Sequence, residues 1–539
     1  MSHYDAIIIG AGAGGGVAAG VLAREGKRIL LLERGPHSEF AQVPRDHLRN
    51  QRMSFYGHNA GPDVDGNPRT LEDGSIVLPH ERGYQNNAAM VGGGTRVFGA
   101  QAWRFMPQDF RMASTYGVPQ GSSLADWPID YEELEPWYER VEWEIGVSGR
   151  DSAMTHLPPY KRPYPMPSLL PNTSMRTHWK GLEKLGWQAL PMPQFINSED
   201  YNGRQACIRC QHCVGFACPV EAKNGTHNTT IAAALRSGKC ELKSGVMVER
   251  IDCDDGGRVR GVNWIDNAGR RGSASAEIVI VSAGAVESAR LLLNSATTRE
   301  PQGLGNFSDQ VGRHLQGHYY PMVIGLFPER MMDNKGPGGG VATCQFNHGN
   351  PDVIGGGMLA DDFIVLPIIS WKMYAPRDIP RWGHAAKQFM REKYRCLGDI
   401  KGPVHEIPSP DGRVTLDPKV RDKFDIPVAR LSGTTHPETV RTASFMYERA
   451  EEWMRASGAQ KVWGYRPDLR LSGGQHQAGT CRMGEDPAQS VVDPWQRVHG
   501  HDNLFVLDGS VHVTNGGFNP VLTIMATSWR AAEHIVEQW

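Results

Sequence analysis

The first forty residues restrict the choice of fold more than any other stretch. Ala6-Ile7-Ile8-Ile9 is a short apolar run of the buried-strand kind. Gly10-Ala11-Gly12-Ala13-Gly14-Gly15 follows and fits G-x-G-x-x-G. Helix formers fill residues 17–24, and Gly26 is placed to end that helix. Ile29-Leu30-Leu31-Leu32 is the next strand, closed by Glu33, 18 residues after Gly15. Two strands joined by a helix make a βαβ unit and imply a parallel sheet. Glycine there permits the tight turn and lets the backbone approach a pyrophosphate, whose charge then sits at a helix N-terminus. A carboxylate at position 33 can bind a ribose hydroxyl pair. The pattern predicts a dinucleotide site built on Gly10, Gly12, Gly15 and Glu33, without separating NAD from FAD.

The remaining chain adds related pieces at a distance. Residues 244–285 carry a β-type pattern ending in Ile278-Val279-Ile280-Val281, followed by a Leu-rich helix. Leu504-Phe505-Val506-Leu507 reads as a buried strand, with a helix from Pro520 to the end. Residues 158–171 hold six prolines and read as an extended connection. Residues 311–470 mix glycine turns, aromatic strands and helical stretches at 384–395 and 436–457. One domain is therefore expected to assemble from separated segments. Lys+Arg 57 against Asp+Glu 59 leaves a net charge of −2, which argues against a nucleic-acid partner, since that needs a basic footprint. The uncharged run 6–23 is broken by glycines and is no membrane span, and no other stretch nears that length.

Four of nine cysteines crowd together: Cys207, Cys210, Cys213 and Cys218 read C-x2-C-x2-C-x4-C, then Pro219. This is one residue longer than the ferredoxin run C-x2-C-x2-C-x3-C-P. Thiolates so spaced can converge on an iron–sulfur cluster or zinc, or stand as a structural clump with free thiols or one disulfide. An odd count with clumped thiols does not suit a secreted disulfide framework. A cytoplasmic location is expected, with the periplasm, reached by co-export with a partner subunit, as the alternative. Cys240, Cys253, Cys344, Cys396 and Cys481 read as ordinary buried thiols.

Further segments resemble the glucose–methanol–choline (GMC) family of FAD-dependent oxidoreductases. They are Val91-Gly92-Gly93-Gly94-Thr95, Ser282-Ala283-Gly284-Ala285-Val286-Glu287-Ser288, and Val311-Gly312-Arg313-His314-Leu315 with His318. Then come His476-Gln477-Ala478-Gly479-Thr480, Val491-Val492-Asp493 with Arg497-Val498, and Asp508-Gly509-Ser510 with Asn519-Pro520. They stand in family order along nearly the whole chain. The resemblance implies an α/β (α+β overall) fold. A discontinuous Rossmann-like FAD-binding domain would comprise residues 1–150, 201–310 and 471–539. A substrate-binding domain with an antiparallel sheet would comprise 151–200 and 311–470.

The resemblance also implies site roles. His476 would face the flavin and the substrate carbinol as base while hydride passes to flavin N5, and Asn519 would hold the same oxygen. A histidine titrates in the range this proton transfer needs. Gly93 and Thr95 would lie against the flavin, Asp508 near its ribityl–phosphate portion, and Val248 at the adenine. The helix starting at Pro520 would aim its positive end at the pyrimidine edge. Asn519 before Pro520 also suits a helix N-cap. Some relatives attach the flavin covalently through a histidine two residues after the Thr95 position. Val97 stands here, so FAD should be non-covalent.

Likeness to the bacterial sugar-oxidising branch, including Ala102-Trp103-Arg104-Phe105 and Trp127-Pro128, implies oxidation of a secondary hydroxyl of a sugar or glycoside to a keto-sugar. Trp371 and Tyr374 could stack on a pyranose, and His318, His405 and Glu406 could line the substrate side. The electron acceptor would be oxygen, a quinone or a partner redox subunit. The cysteine clump resembles the segment in some bacterial sugar dehydrogenases that pass electrons through a cluster to a cytochrome subunit, though that pattern has three cysteines and a shorter last spacing. The alternatives are thus a subunit of such an electron-transfer complex, or an oxidase of a non-sugar alcohol.

Overall fold

The computed structural model describes residues 3–42, 66–79, 81, 84, 88–150, 156–362 and 366–539. Strand β1 (His3–Ile9) leads through helix α1 (Ala13–Arg24) to strand β2 (Ile29–Glu33). The helix begins four residues earlier than the run of helix formers suggests. The two strands pair in parallel, Ala6 opposite Ile29 and Ile9 opposite Leu32. Their continuous apolar runs are fully buried because helices cover the sheet. Cys240–Ser244 extends the sheet beyond β2, and the long strand Arg271–Val281 extends it beyond β1. The first half of that strand continues an antiparallel meander with Val259–Asp266 and Val246–Cys253. Its second half pairs in parallel with Leu504–Val506, so the chain's last strand enters the first strand's sheet. The C-terminal helix Val521–Glu537 packs on α1. Gly14 permits this closure: a Cβ there would stand 1.8 Å from the Leu507 carbonyl oxygen.

A second sheet is antiparallel throughout. Its order is Lys461–Tyr465, Met322–Leu326, Leu397–Lys401, Leu359–Asp361, Val341–Thr343, Leu190–Pro191. Side chains alternate between its faces. Val323 and Ile400 pack with Trp453 and Met454 of the helix Pro437–Ala456, while Met322, Ile324 and Leu397 pack with Tyr374 and Phe389 on the other face.

Two ladders join segments that the sequence reading assigns to different domains. Arg69–Leu71 pairs with Pro427–Ser432, and Gln316–His318 pairs with Gln475–Ala478. The proline-rich stretch is extended, but Met166–Pro167 does form a two-residue parallel ladder with Ser148–Gly149. Among the described residues, two helices of more than ten residues escape the sequence reading. Tyr131–Val141 starts with a capping box between Asp130 and Glu133, and Thr173–Leu185 runs from the Asn172 cap to left-handed Gly186. Those cap residues were the available signal. Cys240, Cys344, Cys396 and Cys481 are buried as expected, whereas Cys253 is only half-buried, its strand lying toward the sheet edge. Among the described residues no helix is long and apolar enough to cross a membrane.

Candidate active site

A cavity of about 2070 Å3 runs between the mixed and antiparallel sheets. This exceeds the few hundred to about 1,000 Å3 of ordinary small-molecule sites. Gly10, Gly12, Glu33, Val248 and Gly284 line one end, and His318, Tyr320, Tyr374, Lys401, His476 and Asn519 the other.

The glycine end is built by close approach. Gly10 has φ +103°, and a Cβ on it would lie 2.2 Å from the Ser282 carbonyl oxygen. Gly15 packs equally tightly, 2.0 Å from the Gly10 oxygen by the same construction. Gly12 differs: its Cβ would meet nothing within 4 Å, although its backbone lines the cavity. The space above Gly12 is therefore a cradle at the N-terminus of α1. Gly93 lies over it, 2.9 Å from the Gly12 Cα by the same measure. Thr95 donates its hydroxyl to the Gly92 carbonyl at 2.6 Å.

Glu33 is buried, and its oxygens accept the backbone N–H groups of Ala11 (2.9 Å) and Gly35 (2.7 Å). Burial raises its pKa against these bonds. Each carboxylate oxygen still has a second acceptor position, which suits a diol. Asp508 accepts from Gly284 N–H (2.9 Å), Ser288 Oγ (2.6 Å) and Ser510 N–H (2.8 Å), tying the last strand to the 282–288 turn at the cavity wall. Val248 is a half-buried strand residue that packs on the core and is also open to the cavity. The donor set and the open cradle fit a dinucleotide cofactor.

At the far end His476 sits at φ +63°, beside the strand that carries His318. Its Nδ1 lies 2.9 Å from His318 Nδ1 and 3.3 Å from the Tyr320 hydroxyl. The Asn519 amide donates to the same hydroxyl at 3.2 Å, while its Oδ1 is buried with no protein partner. Asn519 does not cap the helix, contrary to expectation. Pro520 occupies the cap position, its carbonyl accepting from Ile524 N–H, and the helix proper starts at Val521. The side chain is turned toward Tyr320 instead.

The antiparallel sheet supplies a polar wall. Lys401 lies 3.3 Å from Asp362 and 3.2 Å from Asp399, and Tyr374 donates to Asp399 at 2.8 Å. Burial works against the Lys401 charge, but Asp362, Tyr374 and Asp399 outweigh it and hold the ammonium charged. None of this group, nor Tyr320, is marked in the sequence except Tyr374, because no local spacing betrays it. His318 and Tyr374 line the cavity as expected. His405, Glu406 and Trp371 do not. His405 is drawn into a buried bond to Asp109 (2.5 Å), which His348 shares (2.9 Å). Glu406 accepts Ser472 Oγ and Gly317 N–H, and Trp371 packs near Phe389. Trp103, Arg104 and Trp127 are also core: Arg104 grips Glu142 through two 2.7 Å bonds.

The cysteine segment forms part of the cofactor-side wall. Gly215 N–H donates to the Val97 carbonyl at 2.7 Å, and Gln211, Val214 and Gly215 face the cavity beside Val97 and Phe98. The buried Lys223 ammonium donates to the Cys213 (2.5 Å) and Phe216 (2.9 Å) carbonyls. All four thiols are free, and burial pushes Cys213 up to about 12.

Comparison with known proteins places this geometry. Residues 4–320 match the N-terminal and residues 408–528 the C-terminal family model, each described as GMC oxidoreductase. The chain is 30% identical to 6'''-hydroxyparomomycin C oxidase of Streptomyces lividus, over 99% of this chain and 91% of that one. It is 28% identical to the fructose dehydrogenase large subunit of Gluconobacter japonicus, over 99% and 97%. The solved structure of pyridoxine 4-oxidase from Mesorbium loti superposes with a TM-score of 0.62 at 18% identity, covering 99% of both chains, and so shares the fold. The chain belongs to the GMC oxidoreductase family, flavoprotein oxidoreductases that act on CH–OH groups.

Proposed function

We propose that this chain oxidises a secondary hydroxyl of a sugar or glycoside to the ketone, with non-covalently held FAD. The observation that carries the reading is the buried, unpartnered Asn519 Oδ1 beside His476 on the cavity wall. A buried amide oxygen without a protein partner calls for an explanation, and on a cavity wall a bound ligand's donor supplies one. Bound FAD supplies the hydride acceptor. His476 takes the hydroxyl proton, the second N–H of Asn519 Nδ2 donates to the same oxygen, and Oδ1 accepts from another donor of the bound ligand. Lys401, Tyr374 and Asp362 offer donors and acceptors for further hydroxyls. The named relatives, an aminoglycoside oxidase and a fructose dehydrogenase, support a saccharide substrate.

For the cofactor, Gly10, Gly12 and Gly15 at the start of α1 take the pyrophosphate and Glu33 the ribose. Val248 meets the adenine, and Asp508 meets the ribityl–phosphate portion. Gly93, Thr95 and the helix behind Pro520 abut the flavin, and Val97 leaves it no covalent anchor. In this reading residues 1–150, 201–310 and 471–539 hold the cofactor, and 151–200 and 311–470 the substrate. The odd cysteine count and the clump at 207–218 support a cytoplasmic setting, with a periplasmic one reached by co-export with a partner subunit as the alternative.

Anaerobic mixing with a sugar panel tests the reading. A sugar should bleach the flavin absorbance and yield a keto-sugar, and His476→Ala should slow bleaching about 100-fold or more. Bleaching of His476→Ala at the wild-type rate would remove His476 from its role.

A second reading rests on the cysteine wall beside Val97 and Phe98: an iron–sulfur relay at Cys207, Cys210, Cys213 and Cys218 delivers electrons to a partner subunit rather than to oxygen or a quinone. Iron and labile-sulfide assays of the purified protein decide it. Flavin bands without iron would leave direct transfer.

A further inference from the structure

His318 Nε2 faces two backbone carbonyls, Asn515 at 2.8 Å and Gly516 at 3.0 Å. A carbonyl only accepts, so this nitrogen must carry a proton. His318 is wholly buried. Burial, with His405 and His512 adding to it, holds its pKa near 4 despite the pull of those carbonyls. The ring is therefore neutral at ordinary pH, and its Nδ1 has only a lone pair. That lone pair lies 2.9 Å from His476 Nδ1. Two lone pairs facing each other at this distance would repel, so His476 Nδ1 must be the donor. The single proton of a neutral His476 is then spent on Nδ1, and Nε2 carries the lone pair. The neighbour of Nε2 agrees: it is the Gln475 amide nitrogen, a donor, at 3.4 Å.

From this chain of donors and acceptors we infer that His318 is a positioning residue which fixes the tautomer of His476, so that Nε2 is the basic atom presented to substrate. The inference rests on the reading of His476 as base. In the reaction the carbinol O–H bond breaks and its proton arrives on His476 Nε2. The O–H electron pair forms the C=O π bond as hydride leaves carbon for bound FAD. His476 ends as an imidazolium whose Nδ1–H still points at His318. Groups facing the pair include Tyr320 beside His476, His405 and His512 near His318, and Arg470 on the His318 carbonyl at 3.1 Å. His318 Nδ1 thus stands toward His476 Nδ1 where hydrolytic triads place a carboxylate.

Nitrogen-15 NMR of histidine-labelled holoenzyme tests this without turnover, with His476 signals assigned by their loss in His476→Ala. At neutral pH His476 should show a protonated Nδ1 and a bare Nε2, and His318 the reverse. A protonated Nε2 on His476 overturns the inference even if no His318 variant folds. His318→Leu should mix the two tautomers of His476 and slow flavin reduction about 10- to 100-fold, with KM and flavin content little changed. His318→Asn, whose Oδ1 can accept at the place of Nδ1, should recover most of that rate. An unchanged single tautomer or rate in His318→Leu overturns the inference. Normal reduction by His476→Ala would instead defeat the base reading and leave the tautomer assignment standing.

Discussion

The imidazole of His476 and the amide of Asn519 converge on one hydroxyl. Tyr320 Oη lies 3.3 Å from His476 Nδ1 and 3.2 Å from Asn519 Nδ2. The two groups that would handle the substrate oxygen are thus held in register by a side chain from a different segment.

Tyr320→Phe should therefore loosen both at once. Loss of one shared hydrogen-bond partner is worth about a tenfold change. Stopped-flow reduction with the preferred sugar should show that drop while the flavin-to-protein ratio stays at the wild-type value. A variant as fast as wild type would mean that the hydroxyl holds neither group.

Gly12 and Gly14 are two residues apart, yet they should fail differently. A Cβ on Gly14 would strike the Leu507 carbonyl at 1.8 Å, so Gly14→Ala should melt well below wild type even as apoprotein. A Cβ on Gly12 meets no protein atom, so Gly12→Ala should melt like wild-type apoprotein yet retain little FAD. Thermal melts and flavin content of both variants provide the check.

Arg104 should matter to stability and not to substrate. Its guanidinium and the Glu142 carboxylate are both fully buried, and they are joined in bidentate fashion. Arg104→Leu strands a buried carboxylate and should cost about 3–5 kcal/mol. Adding Glu142→Leu should restore much of it, because the buried pair carries its own desolvation cost. Denaturant titrations measure both, and KM for the sugar should not move in either.

His178, on the helix Thr173–Leu185, should make the fold acid-sensitive. Burial alone holds its pKa near 3, against an ordinary value of about 6.5. The unfolded chain therefore binds a proton below about pH 6.5 that the folded chain refuses until about pH 3. Its contribution to stability is full above pH 6.5 and declines as pH falls through that window, at about 1.4 kcal/mol per pH unit. His178→Leu should flatten the slope by that amount between pH 6.5 and 4. The Ser457 hydroxyl left behind keeps its 2.9 Å bond to the Trp453 carbonyl. An unchanged slope in urea titrations at several pH values would refute the assignment.

Much of the half built on the mixed sheet was legible because its signals are local. The apolar run of β1, the glycine turn, α1 and Glu33 lie within 33 residues, and each depends on its own neighbours in sequence. His476 and Asn519 were legible because each sits inside a short motif. The half built on the antiparallel sheet resisted reading for the converse reason. Its strands are short, and Leu359–Asp361 and Val341–Thr343 have three residues each, too few for a period to declare itself. Arg69–Leu71 finds its partner at Pro427–Ser432, which no linear pattern could announce. His405 was expected near substrate and went to Asp109 instead, because a buried carboxylate must find donors.

The sequence by itself determined the βαβ start and the family, and it singled out His476 and Asn519 as candidates for handling the substrate oxygen. The tertiary structure alone decided what those residues touch. His318 and His476 are 158 positions apart, Tyr320 and Asn519 199 apart, and only the folded sheets bring them within hydrogen-bond reach. Which ring nitrogen carries a proton depends on the partner across that gap. A sequence can therefore name a candidate base, while the ring nitrogen left to accept a proton depends on the fold.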